Sequence, residues 1–564
     1  GDAESRKAFA EKKPEFIREI LSIRDNILNN KELSERIRHK YSIKNVTGLN
    51  ILPFISYEDP FDIIAHLLVG SEGTLAFLSE VTVETEHDFP FKASAMLYFK
   101  EIREACRAVV MFSKMRDNNG NSIVKGAELL DKKSLSSVND TTGEGLTAIL
   151  TEVKGNSPEE LAEHIAEITK SLEHYELAVP VYFTDKEEEY SKYWAIRSGI
   201  FPSVGGTRPL GTTCLIEDVA FHIQDLPEAV ADLQDLMEKH GYHDACIYGH
   251  SLEGNFHFII NQSFDTEQEI QRYESLMNDV IALVVDKYDG SLKAEHGTGR
   301  NMAPFVEYEW GKEAFEVMKA VKKLFDPKNL MNPGVIFNDD PKCHLKNLKP
   351  LPVIELKNGK SGHTADKCIE CGFCEINCLS AGFTLSARQR IVSQREISRL
   401  RRSGENPKRL ATLEKEYIYA GEQTCAVDGL CATSCPMGID TGDLTHDIRE
   451  ANIPKGSVPY KIGDFAANHL AVIKSSLRPL LGVANAAHTV LGTNVMSAVG
   501  RGLHKAGMPL WTSSLPKSFN LNKKKIPVFS SEKKVVYFPS CINQTMGVSK
   551  NAPDQTPLTD KMLS

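Results

Sequence analysis

What this chain of 564 residues lacks narrows its function before any motif is considered. No run of 18 or more residues is strongly and continuously apolar, which argues against a membrane-spanning helix. The opening residues Gly1-Asp2-Ala3-Glu4-Ser5-Arg6 hold no apolar stretch, so they form no signal peptide, and no initiator Met precedes them. A cationic surplus is missing too: 66 Lys and Arg against 76 Asp and Glu leave −10, the wrong sign for a nucleic-acid binder. With 41% hydrophobic and 25% charged residues the chain is neither disordered nor fibrous. At roughly 100–200 residues per domain, about three to five domains are expected.

What is present is cysteine in an uneven distribution. Seven of the 12 cysteines fall in two short runs, while Cys106, Cys214, Cys246, Cys343 and Cys541 are scattered. A disulfide-stapled domain would be small and would spread its cysteines as a framework. Clustering inside a large chain points instead to metal ligation in a reducing compartment, and so to a cytoplasmic protein.

Residues 1–42 read as helix, from Phe16, Ile17, Ile20, Leu21, Ile27 and Leu28 at helical spacing. A Gly-Ser-Glu-Gly turn follows, then the strand-like Ala76–Val83. Between 91 and 340, strands such as Phe256–Ile260 mix with amphipathic helices such as Pro227–His240, an α+β pattern. Residues 341–366 are rich in Pro, Lys and Gly and read as a linker; 367–450 hold the cysteine runs, and 451–530 continue a helical region that begins near 440. Residues 531–564 open a further unit with strand-like Lys533–Cys541, which stops so soon that both ends of the chain read as cut. Pro479–Gly500 carries no charge but is interrupted by Asn485, His488, Thr489, Thr493 and Asn494. A helix hairpin or packed core is the expectation there, with membrane-surface contact as the alternative.

The first cysteine run, Cys368-x2-Cys371-x2-Cys374-x3-Cys378, has the spacing of a ferredoxin-type ligand loop. The second, Cys425-x2-Asp428-x2-Cys431-x3-Cys435-Pro436, repeats it at an offset of 57 residues with Asp428 in place of one cysteine. In two-cluster ferredoxins the fourth cysteine of each run ligates the other cluster. Cluster one is therefore assigned to Cys368, Cys371, Cys374 and Cys435. Cluster two takes Cys378, Cys425 and Cys431, with Asp428 or water on the last iron, and can be isolated as a three-iron form. Zinc would close a four-ligand site without needing this repeat. Arg388, Arg390, Arg395, Arg399, Arg401 and Arg402, between the runs, read either as a solvated helix face or as a docking face or charge compensation for the clusters.

Two histidine strings carry further chemistry. In Gly249-His250-Ser251-Leu252-Glu253-Gly254-Asn255-Phe256-His257, the two imidazoles are seven residues apart and would lie on opposite faces of a straight strand. A hairpin at Leu252–Asn255 would let them converge. In Lys293-Ala294-Glu295-His296-Gly297-Thr298-Gly299-Arg300, Glu295 could complete a His/His/Glu divalent-metal set with an open position. His66–Leu75 contains Gly70-Ser71-Glu72-Gly73-Thr74, a turn whose amides can form an anion nest but which follows neither Rossmann nor P-loop spacing.

The whole string His66–Leu75 resembles the flavin-binding segment of the FAD-linked oxidases related to vanillyl-alcohol oxidase. Phe325–Gly334 resembles that family's C-terminal signature, which places Asn332 near the flavin. With the cysteine runs, the order of motifs is similar to that of the fused FAD and iron–sulfur D-lactate dehydrogenases, relatives of glycolate oxidase. The resemblance implies the end of a PCMH-type FAD-binding domain at 1–90, a FAD-linked oxidase cap domain of α+β class at 91–340, and an α-helical ferredoxin-type domain with two 4Fe-4S clusters. It implies a divalent metal, Zn or Mn, on His250, His257 and Glu295, His296 as base, and Arg197 as partner of the substrate carboxylate. The implied reaction is oxidation of D-lactate or another 2-hydroxyacid, with electrons leaving through the clusters to a quinone, a cytochrome or a redox protein. Glycolate as substrate, or a non-catalytic electron-transfer subunit, are the alternatives, and contact with the cytoplasmic face of a membrane is a further expectation.

Overall fold

In the computed structural model the described residues are 2–563, apart from 139, 141, 454, 506–507 and 521–535. The chain forms two compact units, Gly1–Ile448 and Arg449–Ser564.

Pro14 and Asn30 divide the N-terminal helical stretch into three helices, Ala3–Lys12, Pro14–Asn29 and Lys31–Lys40. The Asn30 side chain accepts from Leu33 N at 3.1 Å and so caps the third. Ile20, Ile27 and Ile37 pack with Phe54, Ile63, Trp310 and Met318, so the start of the chain and residues near 310–318 share one core.

The centre of the first unit is a six-stranded antiparallel sheet of β1 (Phe91–Phe99), β2 (Val124–Leu130), β3 (Thr147–Gly155), β4 (Thr213–Ala220), β5 (Cys246–His250) and β6 (Asn255–Gln262). Their spatial order is β1-β3-β2-β5-β6-β4. Side chains alternate across each strand. Ala95, Leu97, Ala127, Leu129, Ile247, Phe256 and Phe258 face one core with the helices Ile102–Phe112, Leu226–Lys239 and Glu267–Ala282. Met96, Tyr98, Leu130, Cys246, Tyr248 and Ile259 face the other way, onto Ile200 and Val204 of the helix Glu187–Thr207.

β5 and β6 are joined by the expected tight turn. Ser251–Glu253 form a short 3-10 turn and Gly254 ends it in the left-handed region at φ 67°. A Cβ on Gly254 would lie 2.0 Å from the Phe221 carbonyl oxygen, a contact no other residue tolerates.

Several expectations need correction. Ala76–Val83 forms no strand, and Phe77, Val81 and Val83 are exposed; an extended apolar segment needs a neighbour to pair with, and none of the described strands pairs there. The stretch 341–366 is not a free tether, since Ile354 and Ala365 are fully buried and Leu351 and Leu356 nearly so. In the second unit, helices Val458–Asn468 and Leu470–Lys505 are present, the latter broken at Gly492 (φ 73°). This is no packed core: Leu480, Val483, Val490 and Val495 are exposed. The expected strand at Lys533–Cys541 lies partly outside the described residues; Val536–Cys541 is not strand, and the pairing nearby joins Pro516–Ser518 to Met546–Ser549.

Replacing Gly254 with Ala is expected to destabilise the first unit by about 3 kcal/mol, read as a lower urea midpoint. An unchanged midpoint would show that the Phe221–Gly254 approach is not constrained.

Candidate functional site

Sheet register assembles the first site. Glu128 of β2 sits opposite His250 of β5, Tyr248 of β5 opposite His257 of β6, and His257 opposite Asp218 of β4. These residues share the face that carries Leu130, Cys246 and Ile259, so the antiparallel pairing sets them side by side in a row across four strands.

Asp218, fully buried, anchors the second histidine string to this row. Its Oδ2 accepts the backbone N–H groups of Glu295 (2.7 Å) and His296 (2.9 Å), and its Oδ1 accepts Asn255 Nδ2 at 2.6 Å. Burial alone would raise the Asp218 pKa, but His257 and the two amides hold it well below the usual carboxylate range.

The result is a convergence on one atom. Glu295 Oε1 lies 3.3 Å from His250 Nε2 and 3.3 Å from His257 Nε2. His296 Nε2 is 4.0 Å from the same oxygen, and its ring stacks on that of His257 with centroids 4.7 Å apart. Asp218, His257, Glu295 and His296 present ligand atoms all within 4.8 Å of one another. Lys44 Nζ holds the other oxygen of Glu295 at 3.0 Å. Burial would raise Glu295, but Lys44 and His250 outweigh it and keep the carboxylate ionised.

Glu128 links this centre to Arg197. Its Oε1 bonds His250 Nδ1 at 2.6 Å and its Oε2 accepts Arg197 Nε at 2.7 Å. Arg197 also stacks on Tyr248, 4.6 Å from the ring centroid. Its two Nη nitrogens have no hydrogen-bond partner among the described residues, which leaves a fork for a carboxylate. The Glu128 hydrogen bond raises the His250 pKa, whereas partial burial lowers that of His296 and favours its neutral, basic form.

The donor set suits a divalent cation. Two imidazoles and a carboxylate meet at one point, and His257 Nδ1 is buried without a hydrogen bond, 3.4 Å from Asp218 Oδ1. A metal on Nε2 would put the proton on Nδ1, facing that carboxylate. Asp218 and Glu128 escaped the sequence reading. Glu217-Asp218 within an otherwise apolar strand was the available signal, because buried acids are rare unless paired.

The Gly70–Thr74 turn lies against the same histidine string through Glu72. Glu72, itself at φ 52°, accepts Thr298 N at 2.6 Å and Gly299 N at 2.8 Å, and its carbonyl accepts Asn332 Nδ2 at 2.8 Å. Lys322 Nζ ties Thr74 O and Met331 O, both at 2.8 Å, so the turn and the Asn332 segment are held together. The Ser71 hydroxyl donates to Leu68 O at 2.9 Å, just before the turn, and the Thr74 hydroxyl to Ser71 O at 2.6 Å within it. A Cβ placed on Gly70 or Gly73 would meet nothing within 4 Å, so the turn presents open backbone on which a flat ligand could rest.

The cysteine centre interleaves both runs. Cys378 of the first run joins Cys425, Asp428 and Cys431 of the second around a small cleft, with Arg390, Asp440 and Thr441 in its wall. Asp428 is exposed at the rim, where Oδ1 accepts Leu430 N at 3.1 Å. Cys368, Cys374 and Cys435 are near enough for their charges to act on one another, while Cys371 is exposed. Burial, then the Cys368 thiolate, pushes Cys374 up to about 11, a penalty that iron removes by binding the thiolate. The donors therefore fit two clusters.

The arginines between the runs, which lie on the helix Ala387–Ser403, are no uniform face. Arg388, Arg399 and Arg401 pair with Glu375 (3.0 Å), Glu396 (2.8 Å) and Glu414 (2.6 Å), and Arg402 donates to Val353 O at 3.2 Å. Arg390 and Arg395 are buried against the cysteine loops, which excludes them from a solvated or a docking surface.

Residues 90–336 match the family described as FAD linked oxidases, C-terminal domain, and residues 364–439 match the 4Fe-4S dicluster domain. The chain is similar to glycolate oxidase subunit GlcD of Bacillus subtilis, at 26% identity over 283 residues, covering 49% of this chain and 57% of that protein. It is 27% identical over 278 residues to the mitochondrial D-lactate dehydrogenase (cytochrome) of Arabidopsis thaliana, covering 48% and 47% of the two chains. It is 27% identical over 284 residues to the mitochondrial D-2-hydroxyglutarate dehydrogenase of the same plant, covering 48% and 47%. The chain spans about half the length of the curated relatives it matches. It thus carries a FAD-linked oxidase C-terminal domain followed by a dicluster iron–sulfur domain, and fits the FAD-linked oxidase family.

Two outcomes follow from this geometry. Glu295→Gln is expected to weaken Zn or Mn binding in calorimetry at least about tenfold, and Asp218→Asn to weaken it within about 10–100-fold by loosening the ligand string; undiminished affinity in both would remove the metal assignment. Asp428→Cys is expected to convert a labile second cluster into an all-thiolate four-iron cluster, visible as a changed electron paramagnetic resonance signal after anaerobic reconstitution. An unaltered signal would remove position 428 from the ligand set.

Proposed function

We propose that this chain carries the substrate half of a dehydrogenase that oxidises D-lactate, or a D-2-hydroxyacid of similar size, to the 2-oxoacid. Bound FAD would supply the hydride acceptor, and clusters on the two cysteine runs would supply one-electron carriers towards a quinone or cytochrome-type acceptor. The observation that carries this reading is the meeting of His250, His257 and Glu295 at one point, with His296 stacked on His257 and the Arg197 fork reaching the same centre through Glu128.

Each group has a distinct task. The Arg197 Nη pair binds the substrate carboxylate in two parallel hydrogen bonds. Glu128 keeps that guanidinium and His250 in fixed relation. His296, partly buried and shifted towards its neutral form, accepts the hydroxyl proton at Nε2. What a bound divalent ion supplies is polarisation of the hydroxyl oxygen, and what bound FAD supplies is a hydride acceptor. Asp218 holds Glu295 and His296 in place through their amides and takes no part in proton transfer. Glycolate would use the same groups with less of the substrate to contact. A non-catalytic electron-transfer subunit has no use for the His296–Arg197 arrangement.

A second observation bears on the acceptor. Helices Val458–Asn468 and Leu470–Lys505 expose Val458, Ile462, Phe465, Leu480, Val483 and Val490. Between residues 458 and 505 they carry Lys461, Lys474, Arg478, Arg501 and Lys505 against Asp464 alone. No helix among the described residues is long and apolar enough to cross a membrane. Cationic, apolar helices favour a peripheral contact with an anionic bilayer, where a quinone would be reached.

The test is anaerobic spectroscopy of the flavin-loaded protein. D-lactate is expected to bleach the flavin faster than glycolate does, and His296→Asn to slow bleaching by roughly 10²–10⁴-fold. Unimpaired bleaching in the variant would remove His296 as base, and absence of flavin bands would favour the electron-transfer subunit.

A further inference from the structure

Arg208 is a buried cation without a counter-ion. It caps the C-terminus of the helix Glu187–Thr207 and is 6% exposed. Its guanidinium donates to the carbonyls of Thr212 (2.9 Å) and Gly205 in its own domain, then crosses to those of Asp366 (3.0 Å), Lys367 (2.8 Å) and Cys368 (2.9 Å) in the first cysteine loop. It makes no ion pair among the described residues. The nearby Asp366 forms no ion pair with it: its Oδ1 accepts Ile354 N at 2.9 Å, and its Oδ2 is buried without a hydrogen bond.

A second guanidinium sharpens the imbalance. Arg395 Nη2 donates to the same carbonyls of Asp366 and Cys368, both at 3.0 Å. Glu370 neutralises Arg395 at 2.7 Å, but Arg395 Nε is buried with no partner. Two cations thus converge on one loop, where Glu370 is the one carboxylate among the described residues that forms an ion pair with either. An uncompensated buried charge destabilises a fold by several kcal/mol. A four-thiolate iron–sulfur cluster is a net anion in both oxidation states, and more so when reduced.

The same helix end is built to press against both runs. A Cβ on Gly205 would lie 2.6 Å from Ile369 Cγ2, and one on Gly206 would lie 1.9 Å from Met437 Cε. Ile369 follows the Cys368 ligand and Met437 follows Cys435-Pro436, so both flank the set assigned to cluster one.

We propose that cluster one, on Cys368, Cys371, Cys374 and Cys435, is the counter-ion of Arg208, and that Arg208 is a positioning residue from the oxidase domain that holds this cluster rather than cluster two against that domain. The cation favours the more negative state and so raises the reduction potential of cluster one. Arg390 stands in the corresponding place for cluster two, buried and donating to Cys378 Sγ at 3.5 Å and to Ser380 Oγ at 2.7 Å. The proposal rests on the iron–sulfur reading and not on the hydroxyacid reading.

The test uses the full chain reconstituted anaerobically with iron and sulfide, and follows its reduction by dithionite through electron paramagnetic resonance. Each cluster takes one electron and no proton, and neither flavin nor hydroxyacid is needed, so failure of the dehydrogenase reading leaves the result interpretable. A C378S variant perturbs cluster two and so identifies its signal. Arg208→Gln is expected to lower the midpoint potential of the other signal alone, Arg208→Lys to restore most of it, and Arg390→Gln to move the cluster-two signal instead. The gain in melting temperature on reconstitution is expected to be smaller in Arg208→Gln than in the unmodified chain, a comparison that holds even if the variant is less stable overall. An unchanged cluster-one potential at full iron content, a shift confined to cluster two, or an equal gain in melting temperature would overturn the proposal.

Discussion

The buried carboxylate of Asp218 is the constraint on which the oxidase site depends. It sits on a strand, in register with His257, yet its second oxygen is committed to the amides of two residues 77 and 78 positions later in the chain. Without it Glu295 and His296 would be loop residues with no fixed relation to the sheet. With it, a row set by antiparallel pairing and a loop set by two hydrogen bonds share one origin. The ionised acceptor makes those bonds charge-assisted, and the full burial of Asp218 strengthens them. Asp218 is fully buried, whereas Glu295 and His296, which it holds through their amides, are exposed.

The same logic extends outward through Glu128 and Glu72. Glu128 divides its two oxygens between an imidazole and a guanidinium, fixing Arg197 relative to His250. Glu72 divides its carboxylate between the amides of Thr298 and Gly299 and offers its own carbonyl to Asn332, which ties the glycine turn to the loop bearing His296. Three acids, each with its oxygens assigned to different segments, bring together pieces of chain that are as much as 260 residues apart.

Much of this was legible in the sequence, and the divide is physical. Cysteine spacing, the histidine strings and the Glu295-His296 pair were readable because ligand chemistry restricts both residue type and interval. The hairpin between His250 and His257 was readable because Gly254 marks the turn. Asp218, Glu128 and Arg208 were not, because what singles them out is a partner remote in sequence: an acid in a strand or an arginine at a helix end has no local signature of its role. Ala76–Val83 misled for the converse reason. Its composition suits a strand, but strand structure exists only with a hydrogen-bonding neighbour. For the arginines between the cysteine runs, spacing left open which ones the fold buries against the cysteine loops, and those are Arg390 and Arg395.

One element connects the two halves of the chemistry. Arg197 and Arg208 lie on the helix Glu187–Thr207 and its cap, eleven residues apart in number (208 − 197), or about 16 Å along an ideal helix axis. The first engages the histidine cluster through Glu128, and the second grips the loop that bears Cys368. A helix is a stiff short connector because its turns are held by their own hydrogen bonds, here all but the one that Pro202 cannot donate. Its contacts are set for close approach at one end, where Gly205 and Gly206 replace side chains by backbone against Ile369 and Met437. Electron transfer between centres falls steeply with separation, so a connection that tolerates little drift serves it better than a flexible linker would. The segment 341–366 adds to this: with Ile354 and Ala365 fully buried and Glu355 N bonded to Ser398 Oγ at 3.0 Å, the stretch that could have been a tether is packed down.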